Sequence, residues 1–337
     1  MKLQQKFGLI LSTISLLSFI SYANAETKVI ASIKPLHSLV SYVMDGVGTP
    51  DILVDGSSSP HTFQLKPSHA TMLQEADIVF WIGEDLESFL ETPLESIAAN
   101  SRHITLMDSN EIELLKFREK NIFGGHDDHD DHGDEHADEH DEHGDEHDEH
   151  ADEHDEHGDE HDDHHDGHAH GEHDIHFWLD PEIAKTIVKI VTRELSEIDP
   201  ANASTYKSNS TKAMNEIDQL IRDTKSKINS NASYVVFHDA YQYFEKRFGV
   251  EVVGALTVNP EVLPGARQLS EIREVIEHEN INCLFSEPQF NPSIAETIAQ
   301  DTGVKAAVID PLGAELNPGK DLYFDLIGNI ASSFESC

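Results

Sequence analysis

Short apolar runs alternate with longer stretches of helical pattern along most of this chain of 337 residues. The apolar runs are nearly continuous, which is typical of strands buried on both faces of a parallel sheet. Stretches of about 10–15 residues with helical periodicity separate them, as in parallel βαβ units. The pattern predicts strands at 28–33, 51–54, 77–82, 104–107, 234–237, 250–257, 283–286 and 306–309.

The helical stretches divide the chain into two halves. They lie at 36–46, 67–76, 86–99, 182–198, 200–228, 241–247, 268–279, 292–300 and 322–334. The stretch 200–228 would exceed about 40 Å as a helix, which suits a strut between two lobes better than a small core helix. We therefore expect an α/β protein with two (β/α) lobes, each with a parallel sheet. The predicted units are an N-terminal lobe over 26–198, a linking helix over 199–230 and a C-terminal lobe over 231–337.

The first 25 residues have the pattern of a secretory signal peptide. Lys2 and Lys6 precede an apolar stretch at 7–20, and Ala23-Asn24-Ala25 is a small-x-small cleavage site. The apolar stretch is too short to span a bilayer, and no later segment reaches about 18 continuous apolar residues. We expect cleavage after Ala25 and export of a protein that is not embedded in the membrane.

A run of histidine and acidic residues at 126–173 interrupts the N-terminal half. Between 136 and 163 it repeats a seven-residue unit of the type HADEHDE, and it contains no lysine or arginine. With little apolar surface to bury, it is expected to be disordered until a cation neutralises it, and histidine-rich tracts are typical of metal binding. Its 16 histidines are His126, His129, His132, His136, His140, His143, His147, His150, His154, His157, His161, His164, His165, His168, His170 and His173.

The formal net charge of −41 disfavours nucleic acid and anionic membrane surfaces as partners and favours cations. The chain has two cysteines, Cys283 and Cys337. In an oxidising compartment they would form a disulfide. The alternative is a buried Cys283 and a free thiol at the terminus.

In open α/β sheets, ligands bind beyond the carboxyl ends of the strands. His61 follows the strand 51–54 by a short loop, His238 directly follows 234–237, and Asp310 directly follows 306–309. His176 lies just after the histidine-rich run. Three imidazoles and a carboxylate from both lobes make a suitable zinc ligand set. Each could instead be an ordinary loop residue, and Asp310-Pro311 is a common turn signal.

The remaining histidines outside the run lie in predicted helices or a polar loop, and we expect no metal at them: His37, His69, His103 and His278. Trp81 and Trp178 are expected in the core.

Six motifs, in order, resemble the high-affinity zinc-binding proteins of ABC importers, the ZnuA type. They are PHTFQLKPSHA at 60–70, HFWLDP at 176–181, VFHDAYQYFEKRFG at 236–249, VNPEVLPGARQLSEIR at 258–273, SEPQF at 286–290 and DPLG at 310–313. The resemblance covers nearly the whole chain after the leader. It implies two lobes joined by a rigid helix, with Zn²⁺ held in the cleft between them, and a disulfide between Cys283 and Cys337.

By motif, the resemblance implies that His61, His176 and His238 are zinc ligands and that Asp310 is a nearby carboxylate. Some members of the family carry a glutamate before the first histidine, where this chain has Pro60. The fourth ligand is then Asp310 or solvent. Manganese-binding relatives usually have a carboxylate at the position of His238, so three histidines favour zinc.

The expected function is therefore non-enzymatic: a periplasmic protein captures Zn²⁺ and delivers it to the membrane permease of an ABC importer, with the run as a weak accessory collector. Other periplasmic zinc chaperones are further candidate partners, and the chain is expected to be a monomer. Three alternatives remain open: a zinc-dependent hydrolase that uses the same histidines, a manganese- or iron-binding relative, and a zinc buffer without a role in transport. No HExxH-type pairing of ligands with a base supports the hydrolase.

Overall fold

A computed structural model of the chain describes residues 27–118, 120–122, 171–228, 232–260 and 262–337. The signal peptide and residues 126–170 of the histidine-rich run lie outside the described residues. His173, the last histidine of the run, lies within them.

Eight strands form two four-stranded parallel sheets, which confirms the predicted fold class. The strands are β1 Val29–Ile33, β2 Asp51–Val54, β3 Ile78–Trp81, β4 Arg102–Thr105, β5 Ser233–His238, β6 Glu251–Thr257, β7 Ile281–Ser286 and β8 Lys305–Val308. The strand orders are β2-β1-β3-β4 and β6-β5-β7-β8. In both sheets the first strand along the chain therefore lies inside the sheet, next to the second. Of the predicted site residues, His61 follows β2 of the first sheet, whereas His238 ends β5 and Asp310 follows β8 of the second.

Nine α-helices lie in the described part of the chain. They are α1 Lys34–Val43, α2 Pro67–Glu75, α3 Glu91–Ser96, α4 Pro181–Ile198, α5 Ala203–Lys227, α6 Gln242–Phe248, α7 Ala266–His278, α8 Ser293–Thr302 and α9 Leu322–Glu335. Proline occupies the first turn of α1, α2 and α4, where its missing N–H has no helical partner to lose.

The predicted helix over 86–99 is wrong in extent. The structure has a 3-10 turn at Ser88–Leu90 and then the short helix α3. Pro93 explains the difference, because proline in a helix interior removes a backbone donor and clashes with the preceding turn. A helix that includes Pro93 must therefore begin just before it. The structure has α3 begin at Glu91.

Helix α5 has 25 residues, a length of about 37 Å, and lies between the two sheets in the sequence. It packs against α1 and α4 of the first half and against α9 of the second. A single cluster of buried hydrophobic side chains runs from the first sheet through these helices to the second sheet. The two lobes thus share a core, while the predicted lobe boundaries remain predictions.

Cys283 and Cys337 form a disulfide with their Cα atoms 5.8 Å apart, as predicted. It ties the end of α9 to β7 of the second sheet.

Candidate metal centre

Three histidines from distant parts of the chain meet in one place. One ring nitrogen from each of His61, His176 and His238 can be chosen so that all three atoms lie within 4.8 Å of one another. The Nε2 atoms of His176 and His238 are 3.3 Å apart. Two nitrogens bound tetrahedrally to one zinc ion at about 2.0–2.1 Å would be separated by about 3.3 Å. The spacing of these imidazoles fits a shared metal ion.

His61 lies on the loop that follows β2. A 3-10 turn over Pro60–Thr62 carries it, and Pro60 occupies the start of that turn. The fixed φ of proline restricts the backbone just before the histidine. The His61 ring is half-buried, and its centroid lies 5.7 Å from that of His176 and 5.8 Å from that of His238.

His176 is held by the buried 3-10 turn that follows it, Phe177–Leu179. The Trp178 indole Nε1 donates to the carbonyl of Pro311 at 3.0 Å, and Tyr323 donates to the carbonyl of Trp178 at 2.8 Å. Asp180 then caps α4 by accepting from the backbone N–H of Glu182. These contacts leave the backbone at His176 little freedom, and its side chain is buried.

His238 is the last residue of β5. This strand lies between β6 and β7 in the second sheet, so its backbone is paired on both sides. The side chain is buried and lies at the carboxyl end of the sheet, where ligands bind in open α/β folds.

Two carboxylates orient the buried imidazoles. Asp174 Oδ1 lies 2.8 Å from Nδ1 of His176 and also accepts the backbone N–H of His176 at 2.9 Å. Glu287 Oε1 lies 2.8 Å from Nδ1 of His238. With each ring protonated on Nδ1, the N–H donates a hydrogen bond to the carboxylate and each Nε2 keeps a lone pair, so that the two Nε2 atoms, 3.3 Å apart, can both bind one metal ion. This arrangement is characteristic of metal-binding histidines, since two lone pairs at this distance repel without a cation.

Burial keeps the imidazole of His176 neutral. It penalises the charged form and places the pKa of His176 well below its ordinary value, and the neighbouring His238 lowers it further. Burial also raises the pKa of Asp174 to about 7, although the N–H of His176 and the charge of Arg118 act in the opposite direction. A neutral imidazole is the form that binds a metal ion, so burial favours the ligating state of His176.

Arg118 lies close enough to Asp174 to act on its pKa, and it forms ion pairs with two further buried acids. Its guanidinium donates to Asp239 at 3.1 Å and to Glu245 at 2.8 Å. Burial raises the pKa of each of these carboxyl groups to about 7, against the charge of Arg118. The metal-binding side chains therefore lie close to a group of buried ionisable side chains, in which Arg118 pairs with Asp239 and Glu245.

The structure does not bring Asp310 together with the three histidines. Its carboxylate accepts from the Gln289 amide at 2.8 Å and from the backbone N–H groups of Leu312, Gly313 and Ala314 at 3.0, 3.0 and 2.6 Å. Gly313 has a φ of +72°, which a glycine adopts without strain. Asp310 thus closes a turn, and its oxygens already have four donors.

A small cavity adjoins the three imidazoles, with a free volume of about 10 Å³, close to the room needed by one water molecule. Side chains from both lobes line it, including Trp178, Gln289 and Phe290. Three buried oxygens of lining residues, Ser59 Oγ, Glu287 Oε2 and Gln289 Oε1, have no hydrogen-bond partner within the part of the chain that the structure describes. The cavity therefore offers oxygen acceptors to a metal-bound water.

Four histidines outside the run lie apart from this cluster, as predicted. His37 Nε2 lies 3.0 Å from the carbonyl of Pro50, and His103 Nε2 lies 2.9 Å from that of Ala98. His69 Nδ1 accepts from the backbone at the start of α2, and His278 is exposed at the end of α7. Both tryptophans, Trp81 and Trp178, are buried, as predicted.

Sequence reasoning missed the two orienting carboxylates. Glu287 directly follows β7, so the strand-end rule that selected His238 also applies to it. Asp174 lies two residues before His176, a spacing that lets one side chain bond to the backbone and the ring of the same histidine. Both signals are present in the sequence, and neither residue belongs to the group of ligand atoms that lie within 4.8 Å of one another.

Two parallel α/β lobes with a buried imidazole cluster between them define the class of protein: a solute-binding protein for a metal ion. The family described as zinc-uptake complex component A, periplasmic, matches residues 29–337. The chain belongs to this family.

Relatives extend over nearly the whole chain. It is 44% identical over 319 residues to the high-affinity zinc uptake system protein ZnuA of Brucella abortus (strain 2308), which covers 94% of this chain and 93% of the relative. The protein of the same name from Haemophilus influenzae is 40% identical over 329 residues, 96% of each chain. A crystal structure of ZnuA superimposes with a TM-score of 0.69 at 20% identity and covers 93% of this chain and 99% of the other, which supports the fold.

No helix among the described residues has the length and apolar character needed to cross a membrane. As a member of a solute-binding family, the protein is not an enzyme.

Proposed function

We propose that this protein binds one Zn²⁺ through His61, His176 and His238 in the periplasm and delivers it to the membrane permease of an ABC importer. The observation that carries the proposal is the convergence of three imidazole nitrogens within 4.8 Å. The family to which the chain belongs is one of periplasmic zinc-uptake components, which supports both the metal and the transport role. The importer supplies a permease and an ATPase, and we propose that the protein acts on them as a monomer.

The donor set favours zinc over manganese. Three neutral nitrogen donors at tetrahedral spacing suit Zn²⁺, whereas Mn²⁺ favours carboxylate, carbonyl and water oxygens. We propose that water is the fourth ligand, since Asp310 already accepts four hydrogen bonds. That water would donate to Gln289 Oε1, a buried oxygen of the cavity wall.

We further propose that the mature chain begins at Glu26 and that the histidines of 126–173 collect zinc weakly before it reaches the cleft. The small-x-small pattern at residues 23–25 and the histidine content of the run support these two statements.

The site is less suited to hydrolysis than to binding. A zinc hydrolase needs a base that faces the metal-bound water. The carboxylates that contact the buried imidazoles, Asp174 and Glu287, instead form hydrogen bonds with Nδ1 of His176 and His238. A zinc buffer without a transport role is disfavoured by membership in a family of uptake components.

The test is competition calorimetry of zinc binding to the full mature chain and to His238→Ala. The wild-type chain should bind one ion tightly, and the variant should lose at least about a hundredfold in affinity, because one of three protein ligands is gone. His278→Ala, which removes an exposed histidine at the end of α7, is the matched control and should bind like the wild type. Unchanged tight binding by His238→Ala would refute the ligand set.

A further inference from the structure

Among the described residues, a larger and a smaller opening adjoin the metal centre, and they differ in chemistry. The larger, of about 530 Å³, shares Ser59, Gln289 and Phe290 with the metal cavity. Its described lining consists of hydroxyl, amide and apolar side chains. The smaller, of about 20 Å³, shares His61 and His176 with the metal cavity. Its wall also holds two carboxylates and another imidazole, so it is the opening that would attract a cation.

The carboxylates are Asp85 and Asp174, the second of which already accepts the backbone N–H of His176, and the imidazole is His173. Asp85 is exposed and His173 half-buried, whereas His176 at the inner end of the same cavity is buried. The side chains of this wall that can ligate zinc therefore extend from solvent to the metal centre. His173 is also the last histidine of the histidine-rich run.

The backbone fixes His173 in this wall. Lys116 and His173 form an antiparallel bridge, with Phe117 N donating to Glu172 O at 3.1 Å and Asp174 N donating to Leu115 O at 2.9 Å. The same short ladder positions Asp174, which orients the ligand His176. The C-terminal end of the run is thereby attached next to the metal centre.

Gly171 allows Asp85 to reach this position. A Cβ atom on Gly171 would overlap the Asp85 carboxylate. The close approach of this backbone to the carboxylate is possible only without a side chain.

We propose that Asp85 and His173 form an outer site that holds an incoming Zn²⁺ transiently and passes it to His61 and His176. This inference rests on the proposed function. A carboxylate oxygen and an imidazole nitrogen are both ordinary zinc donors. Two protein ligands bind the ion more weakly than three, so the ion can move inward. As an intermediate on the path, the outer site speeds both capture and release and leaves the equilibrium affinity unchanged.

The test is stopped-flow fluorescence on the full mature chain with Zn²⁺ alone as the ligand. Trp178 reports binding, because its ring centroid lies 5.3 Å from that of His176. Asp85→Asn and His173→Ala should each slow loading by about three- to tenfold, within the range over which local charge changes association rates. Release into excess chelator should slow by the same factor, so the dissociation constant from competition calorimetry stays within about twofold.

Two controls make the same chemical changes elsewhere. Asp325→Asn alters an exposed carboxylate of α9, and His278→Ala removes an exposed imidazole of α7; both should load at the wild-type rate. Gly171→Ala should resemble Asp85→Asn, because the added methyl group displaces the carboxylate.

The outcomes separate this inference from the proposed function. Wild-type loading rates in Asp85→Asn and His173→Ala, with one tight zinc retained, would overturn the outer site alone. Faster release and weaker equilibrium binding in either variant would also overturn it, by making that residue part of the tight site. A wild-type chain without a tight zinc would instead overturn the proposed function.

Discussion

Nδ1 of each buried histidine lies within hydrogen-bonding distance of a carboxylate, Asp174 for His176 and Glu287 for His238. This fixes the tautomer and turns Nε2 toward the metal position. It also restricts the rotation of each ring, so little freedom is lost when the metal binds. The affinity of the site should therefore depend on residues that never touch the ion.

Glu287→Ala tests this dependence. Removing the acceptor frees the His238 ring and its tautomer, so zinc affinity should fall by about 10- to 100-fold. Glu287→Gln keeps an oxygen that can accept the Nδ1 proton and should lose less. Competition calorimetry measures both, with Glu277→Ala on an exposed position of α7 as the control. Equal affinity in Glu287→Ala and the wild type would show that the carboxylate does not position the ligand.

At this scale the sequence predicted the histidines better than the carboxylates. Strand ends selected His61 and His238 because topology alone places them at the ligand-binding edge. The same rule selected Asp310, but whether a carboxylate ligates or closes a turn depends on which N–H groups face it. The backbone N–H groups of residues 312–314 face Asp310, and that is a property of the folded loop.

Residues 115–118 and 120–122 contact both lobes beside the metal centre. Residues 115–117 pair with residues 172–174, and the carbonyl of Asn121 accepts from the backbone N–H of Ala255 in β6 at 2.8 Å. Gly254 makes room for this contact, because a Cβ there would lie 2.8 Å from the carbonyl of Asn121. Between these two anchors, Arg118 reaches the buried acids Asp239 and Glu245.

Arg118→Ala should destabilise the protein by about 2–4 kcal/mol at pH 8, since it leaves two buried carboxylates unpaired. Burial raises the folded-state pKa values of Asp239 and Glu245 to about 7, above their unfolded values. The neutral forms are therefore favoured below that pH, and the cost of the unpaired charges appears as pH rises through about 7. The loss should be smaller at pH 5 than at pH 8.

Urea unfolding of the zinc-free chain measures this difference. Arg267→Ala removes a guanidinium that is almost fully exposed and pairs with Glu271 one helical turn away, and it should leave the midpoint unchanged. A loss in Arg118→Ala that is independent of pH would contradict the account of the buried acids.

The elements themselves followed from the sequence where apolar runs were continuous. β2 has the predicted bounds, and the bounds of the other strands differ from the predicted ones by one or two residues at one or both ends. The prediction of a helix over 86–99 was wrong in extent, because it rested on periodicity and did not consider Pro93. The ladder at 115–117 and 172–174 could not be predicted, because most of the histidine-rich run separates its two sides along the chain.

The two lobes share one hydrophobic core through α1, α4, α5 and α9. A metal centre built on two such sheets is independent of the histidine-rich run, since its ligands and their carboxylates lie outside 126–170. The binding of zinc should therefore divide into one tight site in the cleft and several weak sites on the run.

Deletion of residues 126–170 tests this division. Calorimetry should show that the tight site is kept and the weak sites are lost. In the full chain, acidification through about pH 6 should release zinc from the run first, because neighbouring carboxylates in the sequence favour protonation of its imidazoles. His176 stays neutral to lower pH, since burial places its pKa well below the ordinary value. Simultaneous loss of all zinc near pH 6 would contradict the two classes of site.

We expect His61, His176 and His238 to bind a single zinc ion. Anomalous diffraction from crystals of the zinc-loaded mature chain, collected on both sides of the zinc absorption edge, tests it most directly. We expect one strong peak between the three imidazoles, about 2.0–2.1 Å from a nitrogen of each, with Asp310 outside the coordination sphere. A strong peak elsewhere, or one at this place that lacks one of the three histidines as a ligand, would contradict it.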